Sequence, residues 1–212
     1  MKRNKRIKFL EVIKEHVLNN KKEYAIISLI FIIGIFLGVF FVNNMQEPQK
    51  QEVTTYFNGF IEKMKGTENL NQMELLKNSI GQNIVLAIVL WFFGTTVIGL
   101  PVVFGVVLYR GFCLGYTIAV CINIMGLQQG TVFVLILLLM QNILFIPAML
   151  ALAISGFKLY KSIIKDRNKE NIKIEVVRHT LFSLIMLLIL LLSSIIETFF
   201  STSILKGVIK YF

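Results

Sequence analysis

Charge is scarce in this 212-residue chain: Asp, Glu, Lys and Arg together make 16 % of it, against about 25 % in an ordinary soluble domain. Acids are the rarer sign, 12 against 22 Lys and Arg. Cys113 and Cys121, the two cysteines, fall in one apolar stretch. Neither a disulfide framework nor a zinc site is therefore expected, and both read as small packing residues. The two histidines, His16 and His179, border apolar runs, where a lone imidazole is an interfacial group. No H-E-x-x-H, G-x-S-x-G or P-loop occurs, and Glu197 is the only acid inside an apolar run. These scarcities argue against an enzyme, and no cofactor or metal is expected.

Apolar residues fill the space instead, at 56 % of the chain. Several runs reach the ~20 residues a helix needs to cross a ~30 Å hydrocarbon core. The expected fold is all-α: a polytopic membrane helix bundle of five transmembrane helices, N-terminus inside and C-terminus outside. Residues 1–23 form a basic leader and 24–212 a single transmembrane domain. The net charge of +10 lies mainly in short segments beside apolar runs. That placement encodes orientation and a lipid surface, not a nucleic-acid partner.

The leader carries eight Lys/Arg and three Glu, with Ile7, Leu10, Ile13 and Val17 at helical spacing. It reads as a basic amphipathic helix on an anionic membrane surface, or as a solvated leader that only sets topology. The first span runs from Tyr24 to Val42, with Gly34 and Gly38 forming a G-x-x-x-G face suited to close helix approach. Residues 43–83 make the largest polar segment, expected outside the cell. In it Val53, Phe57, Phe60, Ile61 and Met64 recur at helical spacing, so it either caps the bundle or presents Phe57, Phe60, Ile61 and Met64 to a partner.

The stretch from Leu90 to Met125 has glycines at 94, 99, 105, 111 and 115, Pro101, and one charge, Arg110. The reading adopted is one long span from Ile84 to Tyr109, kinked near Pro101, then a short third span from Gly111 to Met125. A re-entrant hairpin would place residues 158–178 outside, although they carry seven Lys/Arg against three acids as a cytoplasmic loop should. Arg110 is then a cytoplasmic anchor, or pairs with an acid of a partner. Residues 126–130 form the outer turn, and the fourth span runs from Thr131 to Phe157, broken at Pro147. Gln141 and Asn142 sit near its middle as amides that can bond neighbouring helices. The fifth span runs from Thr180 to Phe200, with Glu197 close to the outer surface, either as an exposed carboxylate or docked to a partner's basic group.

Trp91-Phe92-Phe93-Gly94, Ile98-Gly99-Leu100-Pro101, Arg110-Gly111-Phe112 and Gly115-Tyr116-Thr117 resemble the central signature of the stage II sporulation protein M family of endospore-forming bacteria. Gln141-Asn142 with Ile146-Pro147-Ala148 is similar to that family's fourth-span motif, and Glu197 to the acid near the end of its last span. Met140 departs from the pattern, which leads one to expect a proline there, so the fourth span should bend once and not twice. The resemblance implies a non-enzymatic membrane scaffold working with two peptidoglycan-degrading partners, sporulation proteins D and P. It would localise and anchor them at the septum, in the mother-cell membrane, for septal thinning and forespore engulfment. Gly94, Gly99, Pro101, Gly111, Gly115, Gln141, Asn142 and Pro147 are then packing residues; Phe57, Phe60, Ile61, Met64, Arg110 and Glu197 are candidates for partner contact. The runner-up reading is a permease-like subunit of an export system, and a homo-oligomer is compatible with either.

Overall fold

The computed structural model describes residues 20–65, 72–96, 98–165 and 169–201, without the side chains of 64, 65, 136–141, 165, 169, 170, 200 and 201. Most of the leader, including His16, and the tail after 201 lie outside the described residues, as do the side chains of Met64 and Gln141. Six α-helices follow in order: α1 (Lys21–Asn43), α2 (Glu47–Lys65), α3 (Gln72–Gly94), α4 (Leu100–Met125), α5 (Leu127–Lys165) and α6 (Lys169–Ile196). A π-helical turn, Glu197–Ser201, ends the described chain. Five helices are long and apolar enough to cross a membrane, and there is no strand among the described residues. This is a multi-pass membrane protein.

The bundle is organised by two glycine pairs. Ile27, Phe31, Gly34, Gly38 and Val42 form the buried stripe of α1, while Leu29, Ile32, Phe36 and Phe40 are exposed on its other face, as suits a helix bathed in lipid. On α4 the buried positions Val103, Val107, Gly111, Gly115 and Ala119 recur every four residues. A β-carbon at Gly34 would overlap the carbonyl oxygen of Leu108, and one at Gly38 that of Phe112. One at Gly111 would strike the carbonyl of Phe31, and one at Gly115 that of Ile35. Both sequences rise together along this contact, so α1 and α4 run parallel and a crossing by α3 must intervene. Such backbone proximity is what small residues permit in a membrane, where burial of apolar surface no longer drives association.

Four expectations are corrected. The chain turns at residues 95–99 and not at Arg110: α3 ends at Gly94, and α4 runs unbroken from Leu100 through Arg110 to Met125. Pro101 lies in the first turn of α4, where its missing N–H costs nothing. Thr95 and Thr96 end α3 by donating their hydroxyls to the carbonyls of Phe92 (2.6 Å) and Phe93 (3.1 Å). The number of crossings is unchanged, so charge parity could not reveal the misplacement.

The second correction is the turn after α4, which narrows to Gly126, held at φ 82° and ψ 165° where only glycine is comfortable. Third, α5 is not broken at Pro147; it continues for 39 residues, about 58 Å at the helical rise and well beyond a ~30 Å core. Membrane helices tolerate an internal proline when neighbours satisfy the freed backbone groups. Fourth, residues 158–178 are not a loop but the facing ends of α5 and α6, and 166–168 lie outside the described residues.

At this end of the bundle, hereafter the basic end, Lys161 Nζ meets Glu23 Oε1 at 2.7 Å. At the opposite end α2 lies over the helix tips. Phe57 packs edge-on against Phe133 (centroids 6.0 Å apart), Ile61 joins the same cluster, and Val53 covers Val42, Ala119 and Val120. The segment is thus a capping helix with Tyr56 and Phe60 turned outward.

Candidate functional site

Gly111 touches Phe31 and Gly34, the middle of the apolar run of α1. Arg110, one residue earlier, is therefore at mid-depth in the bundle and not at a surface. Its guanidinium carbon stands 5.2 Å from the centroid of the Phe145 ring, a cation–π contact. A charge at this depth is expensive unless it faces protein or a wet cavity. Besides the Phe145 ring, Arg110 faces a cleft of about 330 Å³ shared with Glu197, Asn142, Thr117 and the polar edge of α3, Asn78, Ser79, Gln82 and Asn83. Leu75, at the far end of the cleft, precedes Gly94 by 19 positions, about 28 Å of helix. The cleft thus descends from the end opposite the basic one to the middle of the bundle.

Glu197 opens the π-helical turn, where α6 takes in an extra residue and changes the direction of the side chains that follow. Ser79 donates its hydroxyl to Glu197 Oε2 at 2.6 Å. Below this bond, Asn83 Nδ2 donates to Ser194 Oγ (2.7 Å) and to the carbonyl of Leu190 (3.0 Å). Thr198 donates to the carbonyl of Ser194 at 2.9 Å. Asn83, Ser194 and Thr198 are all buried, so α3 is locked to α6 directly beneath the carboxylate. No ion pair within 4.0 Å joins Arg110 to Glu197, so the two charges stand at separate places on the cleft wall. The cleft consequently offers a cationic floor and an anionic flank, which suits binding and orienting a polar group that enters from that end.

Of the residues singled out by sequence, Arg110, Asn142 and Glu197 converge here. Gly111 and Gly115 hold α4 against α1, and Gly94 crosses Gly156 beside the His179 ring. Gly99 fits the turn where a β-carbon would strike the carbonyl of Phe93, and Pro147 is exposed on α5. Phe57 and Ile61 are spent on the bundle, which leaves Phe60 exposed beside an apolar groove of about 670 Å³ between α1, α2 and α4.

Sequence reasoning missed Ser79, Asn83, Ser194 and Thr198, although Ser79/Asn83 and Ser194/Thr198 each repeat at four-residue spacing. It also read His179 as an interfacial group, and the structure adds that at this level the residue is buried inside the bundle, only 2 % exposed. His179 Nδ1 lies 2.8 Å from Ser155 Oγ and Nε2 lies 3.4 Å from the carbonyl of Trp91. That geometry suits Ser155 donating to Nδ1 while Nε2–H points at the carbonyl. Trp91 Nε1 donates to Thr180 Oγ1 at 3.1 Å, so α3, α5 and α6 are tied together at the basic end.

Compared with known protein families, the chain matches the one described as Stage II sporulation protein M, over residues 27–202. No curated protein and no solved structure matches the chain.

Proposed function

The chain belongs to the stage II sporulation protein M family and is a sporulation membrane protein, and from that premise we propose that it is a non-enzymatic scaffold of the engulfment machinery. In this reading it anchors two peptidoglycan-degrading partners, sporulation proteins D and P, at the septum in the mother-cell membrane. The basic end, with Lys21, Lys22, Lys158, Lys161, Lys173 and Arg178, is cytoplasmic by the positive-inside rule. The N-terminus is then inside, the C-terminus outside, and both α2 and the mouth of the cleft face the extracytoplasmic side where the cell wall lies.

The observation that carries the reading is the juxtaposition of Arg110 and Glu197 in one cleft that opens at the end away from the basic residues. Opposite charges on its walls can hold a partner's side chains in register, and partial burial makes each such contact worth more than at an open surface. Co-purification from sporulating cells tests it. Arg110→Gln should lower recovery of both partners about tenfold, the loss of roughly one buried charge contact. Full recovery would remove the cleft from the interface, and no partner recovered with the wild-type chain would remove the scaffold itself.

A permease-like subunit of an export system is the second reading, favoured by the polar lining that reaches from one end to mid-depth. Flux across vesicles holding this chain and a transport ATPase, without either hydrolase, would replace the first reading with the second.

A further inference from the structure

A second recess, independent of the cleft, opens between α5 and α6 at the basic end. It measures about 70 Å³, several times the ~10–15 Å³ that one water requires. Lys158 and Arg178 flank it, Ser155 and the buried His179 form its floor, and Glu175 stands at its edge. Glu175 Oε1 accepts one N–H of Arg178 at 2.6 Å. A guanidinium has five donors, so most remain for another acceptor. Lys158 makes no ion pair within 4.0 Å among the described residues. Two cations against one carboxylate leave the recess positive.

Its depth fits a lipid headgroup. Gly94, the last residue of α3, packs against Gly156 and the His179 ring, so the recess lies level with the turn between α3 and α4, where the apolar spans end. Leu181, Leu184, Ile185 and Leu188 are exposed on α6 from the recess inward, an apolar ramp along which acyl chains can run into the bilayer. We infer that this recess holds the phosphate of an anionic glycerophospholipid between Lys158 and Arg178. Basic recesses between membrane helices on one side of a bundle are suited to such headgroups, and the guanidinium fork matches phosphate oxygens. A free phosphate ion would gain nothing from the apolar ramp.

The test uses the full chain in nanodiscs of equal phosphatidylglycerol and phosphatidylcholine, with the retained lipid counted by mass spectrometry after delipidation. The wild type should retain phosphatidylglycerol in preference. Lys158→Gln with Arg178→Gln should lower that preference about thirtyfold, as expected for removing two surface cations at about 1 kcal/mol each. Lys158→Arg should keep it, as should Lys50→Gln at the opposite end. A double variant as selective as the wild type would overturn the assignment, and displacement of the lipid by inorganic phosphate would reassign the recess to the free ion. Should the double variant fail to fold, Lys158→Gln against Lys158→Arg decides alone, and equal selectivity in those two would likewise overturn it.

Discussion

Gly34 and Gly111 meet backbone to backbone, their helices so close that a β-carbon on either would occupy the space of a carbonyl oxygen on the other helix. The atoms in the way are main-chain atoms of rigid helices and cannot rotate aside. Gly111→Ala should therefore destabilise the fold by about 1–3 kcal/mol, the usual cost of overpacking a filled site. Gly105, on the same helix, has nothing within 4 Å of the point where a β-carbon would stand. Gly105→Ala should be neutral or slightly stabilising, since alanine is the better helix former. Unfolding in mixed micelles by stepwise addition of SDS would measure both, and equal losses would refute the packing role.

Asn83 joins α3 to α6 through Ser194 and the carbonyl of Leu190. Asn83→Ala removes the donor to Ser194 Oγ, while the Leu190 carbonyl keeps the Ser194 hydroxyl as a donor, with a cost of about 1 kcal/mol inside a membrane. Ser194→Ala should cost a similar amount, and the double variant less than the sum because the two share one bond. Strict additivity in the same unfolding assay would show that the 2.7 Å contact contributes no coupling.

Phe57 holds the capping helix down through Phe133, while its neighbour Tyr56 is 84 % exposed. Phe57→Ala should lift α2 and quicken tryptic cleavage at Lys50 and Lys63 in detergent. Tyr56→Ala should leave the cleavage rate as it was. The same contrast matters for partner binding: a loss of co-purification on changing Phe57 reports a displaced helix, whereas a loss on changing Phe60, which is exposed, reports a contact surface.

These contrasts also mark what was readable from sequence alone. The five spans and the Gly34/Gly38 face were legible because run length and four-residue spacing are local properties of each helix. The turn between α3 and α4 was misplaced because Arg110 is the only charge in its stretch and charge ordinarily marks an interface. The real turn, from Thr95 to Gly99, carries none and is closed by threonine hydroxyls. Arg110's depth follows from how α4 registers against α1, a tertiary fact. The Asn83–Ser194 bond joins residues 111 positions apart, beyond the reach of any periodicity. Glu197 was placed correctly near the end of its helix, but its meeting with Ser79 rests on a π-helical turn that no composition announces.

The two native cysteines provide a direct probe of the cleft. Cys113 stands on its wall beside Arg110, half-buried, while Cys121 is 2 % exposed within the cluster of Phe133 and Val134. Thiol reagents act on the thiolate, which requires water, and a membrane-impermeant reagent reaches only sites in contact with the aqueous phase. If the cleft is hydrated from the extracytoplasmic side, a small charged methanethiosulfonate added outside intact cells should modify Cys113 and spare Cys121. Arg110→Gln should slow the reaction with a negatively charged reagent more than with a positively charged one, because the guanidinium draws anions toward the floor. Modification of Cys113 only from the cytoplasmic face would invert the orientation proposed above. Protection from both faces would mean that the cleft is sealed, and Arg110 would then have to be satisfied within the bundle by Phe145 and the field of Glu197.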